Sequence, residues 1–241
     1  MFEIIGNNPL TGLVYLCYTQ VDPHGLFIIK EAKSIQSFHK LDKQKQIQIL
    51  NAAMKEFAEK GYKRASTNQI VNYAGIGKGM LFYYFKTKQE LYYYLIDYGL
   101  DFVESEYLNK VNMEETDFIE RIKQATKIKM KSYANHPDLF HFLGTIFMSE
   151  NIDLPESLQK KYEKFYQLGY SLLYDNIDTS LFRSDVDVEK AFQLIQWAID
   201  GYQNNLIHRL QGKNLSSYNF DPLWEEFFEY LNVLKTAFYN R

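Results

Sequence analysis

Cysteine occurs once in the 241 residues, at Cys17. An intrachain disulfide is excluded, and a reducing compartment is expected. Proline occurs five times and glycine twelve times. That is too few for a turn-rich β architecture and favours long helices. No run of about 18 uninterrupted apolar residues exists, so no membrane-spanning helix is expected. The short apolar run Leu13 to Cys17 lacks a basic lead and lies beside Pro9 and Gly12, unlike a signal peptide. The cytoplasm is therefore the expected location. No glycine-rich phosphate loop follows a strand. His136 and His141 are five apart and do not stack on one helix face, while His24, His39 and His208 stand alone. Cys17 has no cationic neighbour to activate it. No carboxylate pair stands out from solvated helix faces. The expectation is a protein with no enzymatic activity, no cofactor and no metal.

What the chain has instead is apolar surface and segregated charge. It is 46% hydrophobic and 24% charged, with 20 Tyr and 18 Phe. That is a globular composition with ample core. The net charge of −3 divides unevenly: residues 41–100 carry nine Lys/Arg against five Asp/Glu, and residues 101–241 carry fifteen against twenty-two. A basic segment beside an acidic one points to a polyanion facing the first.

Residues 1–41 are broken by Gly6, Pro9, Gly12, Pro23 and Gly25. They read as a poorly ordered extension, with strand-like residue types at 14–18 and 26–29. Asp42 can cap a helix from Lys43, with Ile49, Leu50, Ala53 and Phe57 on one face and Gly61 as its stop. Ser66 and Gln69 have capping-box spacing and open a second helix with Ile70, Val71 and Ala74 inward. Gly75 supplies the turn, and Ile76 plugs back into the core. A third helix runs from about Gly77 to Phe85, with Leu81 and Phe85 buried. Thr87 and Glu90 form a second capping box, opening a helix that runs past residue 100. Further helices are expected near 115–134, 137–149, 155–177, 187–211 and 221–239.

Two short helices around a glycine turn, within residues 66–85, have the layout of a helix-turn-helix on DNA. With Leu81 and Phe85 inward, Lys78, Gly79, Met80, Phe82 and Tyr83 are left for the groove. Lys78 can meet a phosphate or a guanine edge, and Gly79 lets the backbone approach closely. Tyr83 can donate to a phosphate, and Phe82 can pack on sugars or a thymine methyl. Thr67 and Lys88 each stand in the first turn of a helix, where free N–H groups attract phosphate. The same residues would also suit a helical bundle whose aromatic patch binds a partner helix without DNA.

From Lys43 to Phe102 the chain resembles the TetR family of bacterial transcriptional regulators. The likeness rests on Ile49, Ala52, Ala53, Phe57, Gly61, Thr67, Ile70, Ala74, Gly75, Ile76, Lys78, Gly79, Leu81, Tyr83, Phe85, Lys88 and Leu91. It implies an all-α homodimer of about nine helices per subunit. Residues 42–102 would be the DNA-binding domain, and residues 103–241 a helical effector-binding and dimerisation domain. The resemblance further implies contacts to double-stranded operator DNA from Thr67, Lys78, Gly79, Phe82, Tyr83 and Lys88, and a small-molecule effector. Phe82 stands where the family often has tyrosine, and the lead of 40 residues is longer than usual. In the second domain, residues 187–211 and 221–239 carry apolar stripes suited to packing between symmetry mates. Tyr133, Phe140, Phe147, Tyr166 and Trp197 are the aromatic residues expected to line an apolar effector cavity. The combined reading is a ligand-responsive repressor; the alternative is the interaction module.

Overall fold

The computed structural model describes residues 33–147, 153–210 and 219–240. Ten α-helices follow one another among them: α1 (Lys33–His39), α2 (Lys43–Arg64), α3 (Thr67–Ala74), α4 (Lys78–Tyr84), α5 (Lys88–Glu106), α6 (Phe118–Asn135), α7 (Pro137–Phe147), α8 (Glu156–Tyr174), α9 (Val188–Leu210) and α10 (Asp221–Phe238). There is no strand among the described residues, apart from an isolated antiparallel bridge between Phe182 and Tyr239. The expected strand-like runs at 14–18 and 26–29 lie outside the described residues. The all-helical expectation holds.

The chain divides into two compact units. One comprises residues up to Ser105 together with Asn135–Gln167; the other comprises Glu106–Ala134 and Leu168 onward. A boundary near residue 102 was expected, but α7 and most of α8 fall with the N-terminal helices. The cause is packing. Phe142 of α7 lies 6.3 Å from Phe57 of α2, ring centre to ring centre. Leu143 fits where Gly99 of α5 has no side chain; a Cβ there would come within 2.9 Å of it.

In the first unit α2 buries Ile49, Leu50, Ala53, Met54 and Phe57. Asp42 caps it, its Oδ1 accepting from the Gln44 N–H at 2.9 Å. Gly61 takes φ 68° and ψ 162°, which breaks the helical geometry at the expected stop, and a further short turn follows the kink to Arg64. Thr87 Oγ1 accepts from the Glu90 N–H at 3.0 Å, as its capping box requires. The return bond is displaced: the Glu90 carboxylate accepts from Lys86 at 3.0 Å. The capping box expected at Ser66 does not close, because the Ser66 hydroxyl makes no cap bond. Its N–H donates instead to Glu56 Oε1 at 2.9 Å. Glu56, buried on α2, thus takes the role assigned to Gln69.

The extension expected through residue 41 gives way earlier to structure. Residues 33–39 form α1, which raises the helix count above the nine implied by resemblance. The reason is Phe38, fully buried with ring centres 5.6 Å from Tyr84, 5.0 Å from Phe85 and 5.7 Å from Tyr94. The neighbouring His39 Nε2 lies 2.9 Å from the Tyr94 hydroxyl. α1 therefore braces the buried side of α4.

In the second unit α6, α9 and α10 enclose Phe118, Ile119, Ile122, Ile195, Ile199, Phe227 and Leu231. Arg121 is wholly buried and bonds to carbonyls: Nε to Glu115 at 2.7 Å, Nη1 to Leu172 at 3.3 Å and Nη2 to Met113 at 3.1 Å. Main-chain acceptors satisfy this cation, as a charge away from water requires. Lys129 of α6 is buried too. Burial draws its pKa down to about 8, against the opposing pull of the Asp200 carboxylate on α9.

Two predictions follow from these cores. Phe38→Ala should lower unfolding stability by about 3–5 kcal/mol in urea, the usual cost of emptying a buried aromatic site. Lys129 should give a rise in stability with pH. Above pH 8 the folded chain has released a proton that the unfolded chain keeps up to about 10.5, so folding gains across that window. The denaturation midpoint of Lys129→Met should climb less than wild type between pH 8 and about 9.5, below the range where buried tyrosines contribute.

Candidate nucleic-acid interface

α3 and α4 are joined at Gly75, whose φ 56° and ψ 42° are left-handed. Glycine reaches that conformation without a Cβ clash. The turn is closed by main-chain bonds from Gly75 to Asn72 at 3.2 Å and from Ile76 to Val71 at 3.1 Å. Ile70, Val71 and Ala74 hold α3 inward, while Leu81 and Tyr84 hold α4, followed by the buried Phe85. Ile76, expected in the core, is half-buried.

The outward face of α4 carries the expected residues. Lys78 and Gly79 are exposed, Met80 and Phe82 half-buried, and Tyr83 is 62% exposed. A Cβ built on Gly79 would meet nothing within 4 Å, so its bareness serves no internal contact. Lys78 Nζ stands 6.0 Å from the centre of the Phe82 ring. Thr67 opens α3 half-exposed, beside N–H groups that a helix start leaves without intrahelical partners. Residues 65–89 contain no Asp or Glu, but include Lys78, Lys86 and Lys88. α3 and α4 themselves offer a phosphate no carboxylate; the buried Glu56 of α2 reaches the start of α3, where it accepts from the Ser66 N–H.

Lys88 departs from the phosphate role expected of it. Its ammonium donates to the carbonyls of Tyr62 at 2.8 Å, Lys63 at 3.3 Å and Ala65 at 3.2 Å. It also lies 4.8 Å from the centre of the Tyr62 ring. Three acceptors use all three N–H donors of a lysine. Lys88 therefore caps the end of α2 from the start of α5. Lys45 acts similarly at the end of α3, donating to Ala74 at 3.2 Å and Gly75 at 3.4 Å. Sequence reasoning missed Lys45 and Glu56, whose partners are distant in the chain. It also passed over Asn68, Gln69, Asn72 and Tyr73, exposed on α3. Their signal was available: they alternate with Ile70, Val71 and Ala74 at helical spacing.

The five aromatic residues expected to line an effector cavity are dispersed. Phe147 stacks on Phe165 with centres 5.7 Å apart, and both Phe147 and Tyr166 adjoin Tyr162. Burial raises the Tyr162 hydroxyl pKa well above the ordinary phenol range. Phe140 is buried in α7 of the same unit. Tyr133 belongs to the other unit, where it lines an open groove of about 510 Å³ with Lys127, Phe220, Trp224 and Phe228. Trp197 corrects the expectation: it is 59% exposed on α9, because Ile195 and Ile199 take the inward positions on either side. Among the described residues no group of His, Cys, Asp and Glu is arranged to hold a metal. No described helix is long and apolar enough to cross a membrane.

Residues 49–95 match the family model described as bacterial regulatory proteins, tetR family. An HTH-type transcriptional regulator of Staphylococcus aureus is 24% identical over 176 residues, spanning 69% of this chain and 92% of its own. The fatty acid metabolism regulator protein of Bacillus subtilis is 26% identical over 164 residues, 65% of this chain and 80% of its own. A TetR family transcriptional regulator from Chloroflexus aurantiacus superposes with a TM-score of 0.61 at 20% identity, covering 86% of this chain and 98% of that one. Fold and interface together define a helix-turn-helix transcriptional regulator. Residues 49–95 thus resemble the DNA-binding region of the TetR family, and the fold of the rest is that of a solved TetR family regulator.

Lys78 and Lys88 should separate on mutation. Lys78→Ala should reduce the slope of log affinity against log salt by about one on duplex DNA. Lys88→Met should leave that slope unchanged and lower unfolding stability by about 1.5–3 kcal/mol, the range for a hydrogen bond to a charged group.

Proposed function

We propose that this chain is a homodimeric repressor of the cytoplasm that binds operator DNA through α3 and α4 and leaves it when a small hydrophobic effector binds. The observation that carries the reading is the carboxylate-free surface presenting Lys78, Gly79, Met80, Phe82 and Tyr83 around a left-handed glycine turn. Thr67 adds a hydroxyl at the start of α3. Lys88 serves this surface by holding α2 to α5.

Dimerisation is supported by the outer face of α9 and α10. Leu194, Trp197, Tyr230 and Val233 are all about half exposed or more. They flank a groove of about 330 Å³ lined by Ala198, Tyr202, Phe227 and Leu234. An exposed apolar strip on two neighbouring helices is what a two-fold helical interface would cover. Two heads would then reach successive major grooves, with half-sites about one helical turn or more apart. A hydrophobic effector is supported by the aromatic cluster of Phe147, Tyr162, Phe165 and Tyr166. The name of the Bacillus subtilis relative agrees with such a ligand. Effector binding belongs, in this reading, to residues 103–241.

The test is binding of the purified protein to DNA from upstream of its own gene at two salt concentrations, with Lys78→Ala as control. Specific, salt-sensitive binding that the substitution weakens is the expected result. Lack of affinity at low salt for that DNA and for random genomic fragments would overturn the reading and favour the protein-interaction module.

A further inference from the structure

The groove-facing surface of α4 has an unusual chemistry for reading bases. Between Gly75 and Phe85 there is no Arg, Asn, Gln, Asp, Glu, Ser or Thr. Of the side chains that hydrogen-bond selectively to base edges, the helix placed to use them carries Lys78 alone. Lys78 and Tyr83 are its outward polar groups; Tyr84 is buried.

Helical geometry shows what takes their place. At 100° per residue, Gly79 and Tyr83 point away from the buried Leu81 and Phe85, with Met80 on one flank and Phe82 on the other. Gly79 has open space where its Cβ would stand. Nothing on that residue holds the backbone off the base pairs, so Met80 and Phe82 can reach the groove floor. Both are half-exposed, and Phe82 is steadied by the Lys78 ammonium 6.0 Å from its ring centre. On α3 the exposed amides of Gln69 and Asn72 are turned to each other at 3.4 Å. Apolar side chains in the major groove have one apolar group to meet, the C5-methyl of thymine.

We propose that Met80 and Phe82 read thymine methyl groups, so that the half-sites of this protein's operator are thymine-bearing beneath α4. Lys78 and Tyr83 anchor the helix beside them. The proposal rests on the regulator reading and narrows it to a chemical class of operator.

The experiment selects high-affinity duplexes from a random library with the full-length protein. A selected duplex is then remade with uracil for thymine in each half-site, which removes the methyl and leaves the pairing edge. Binding to wild type should weaken about four-fold for each methyl contacted, the factor that burying one methyl-sized apolar group supplies. Met80→Ala and Phe82→Ala should each bind the thymine duplex less well and discriminate less against uracil. Equal binding of thymine and uracil duplexes by wild type would overturn the inference while leaving the regulator reading intact. A uracil penalty undiminished in both variants would also overturn it, since the methyls would then act through DNA shape. Failure to select any duplex would overturn the regulator reading and this inference together. The uracil comparison alters only the DNA, so it stays decisive even if a variant folds poorly.

Discussion

A helix of seven residues cannot stand by itself in water, because one or two turns do not recover the cost of nucleation. α4 exists because its inward side is buried, and everything on its outward side inherits its position from that burial. Leu81 and Tyr84 are sealed within the helix, and Phe85 just beyond it. Phe38 closes the site from α1. Once those rings are placed, a 100° step puts Gly79 and Tyr83 on the opposite side. The interface is thus the far side of a core, and its accuracy is that of close packing.

The same unit solves a second problem, that of helix ends close together in space. Each helix leaves main-chain donors or acceptors without partners at its termini. Here distant side chains supply them. Lys88 takes three carbonyls at the end of α2, Lys45 takes two at the end of α3, and Glu56 accepts the N–H that begins α3. Two lysines of a basic segment, both half-buried, are consequently committed to main-chain carbonyls. The charge excess of residues 41–100 overstates the positive charge left free on the outward faces of α3 and α4; the lack of carboxylates in 65–89 describes those helices better.

The second unit buries charge in a different way. Arg121 is satisfied by carbonyls from two chain segments, and Lys129 is opposed by Asp200 across two helices. Groups of this kind are costly to displace one at a time, because each partner left behind would be a buried polar atom without water. They tie α6 to the end of α8 and to α9 within the unit. The same packing leaves an apolar strip outside on α9 and α10, with Leu194, Trp197, Tyr230 and Val233 exposed.

The sequence by itself determined the helices and their inward faces. The periods carried by Ile49, Ala53 and Phe57, by Ile70 and Ala74, and by Leu81 and Phe85 are local. Backbone geometry turns such spacing into a stripe before any tertiary contact is made. The glycine turn at Gly75 and the outward set on α4 were legible for the same reason. Tertiary structure alone decided what depends on residues far apart in the chain. It made α1 a brace through Phe38, committed Lys88 to carbonyls 23–26 residues away, and gave the Ser66 cap to Glu56. It also joined α7 to the first unit and left Trp197 in solvent. An aromatic or a lysine in a sequence states what it can bind. Which neighbour it meets is set by packing, and packing is not a local property.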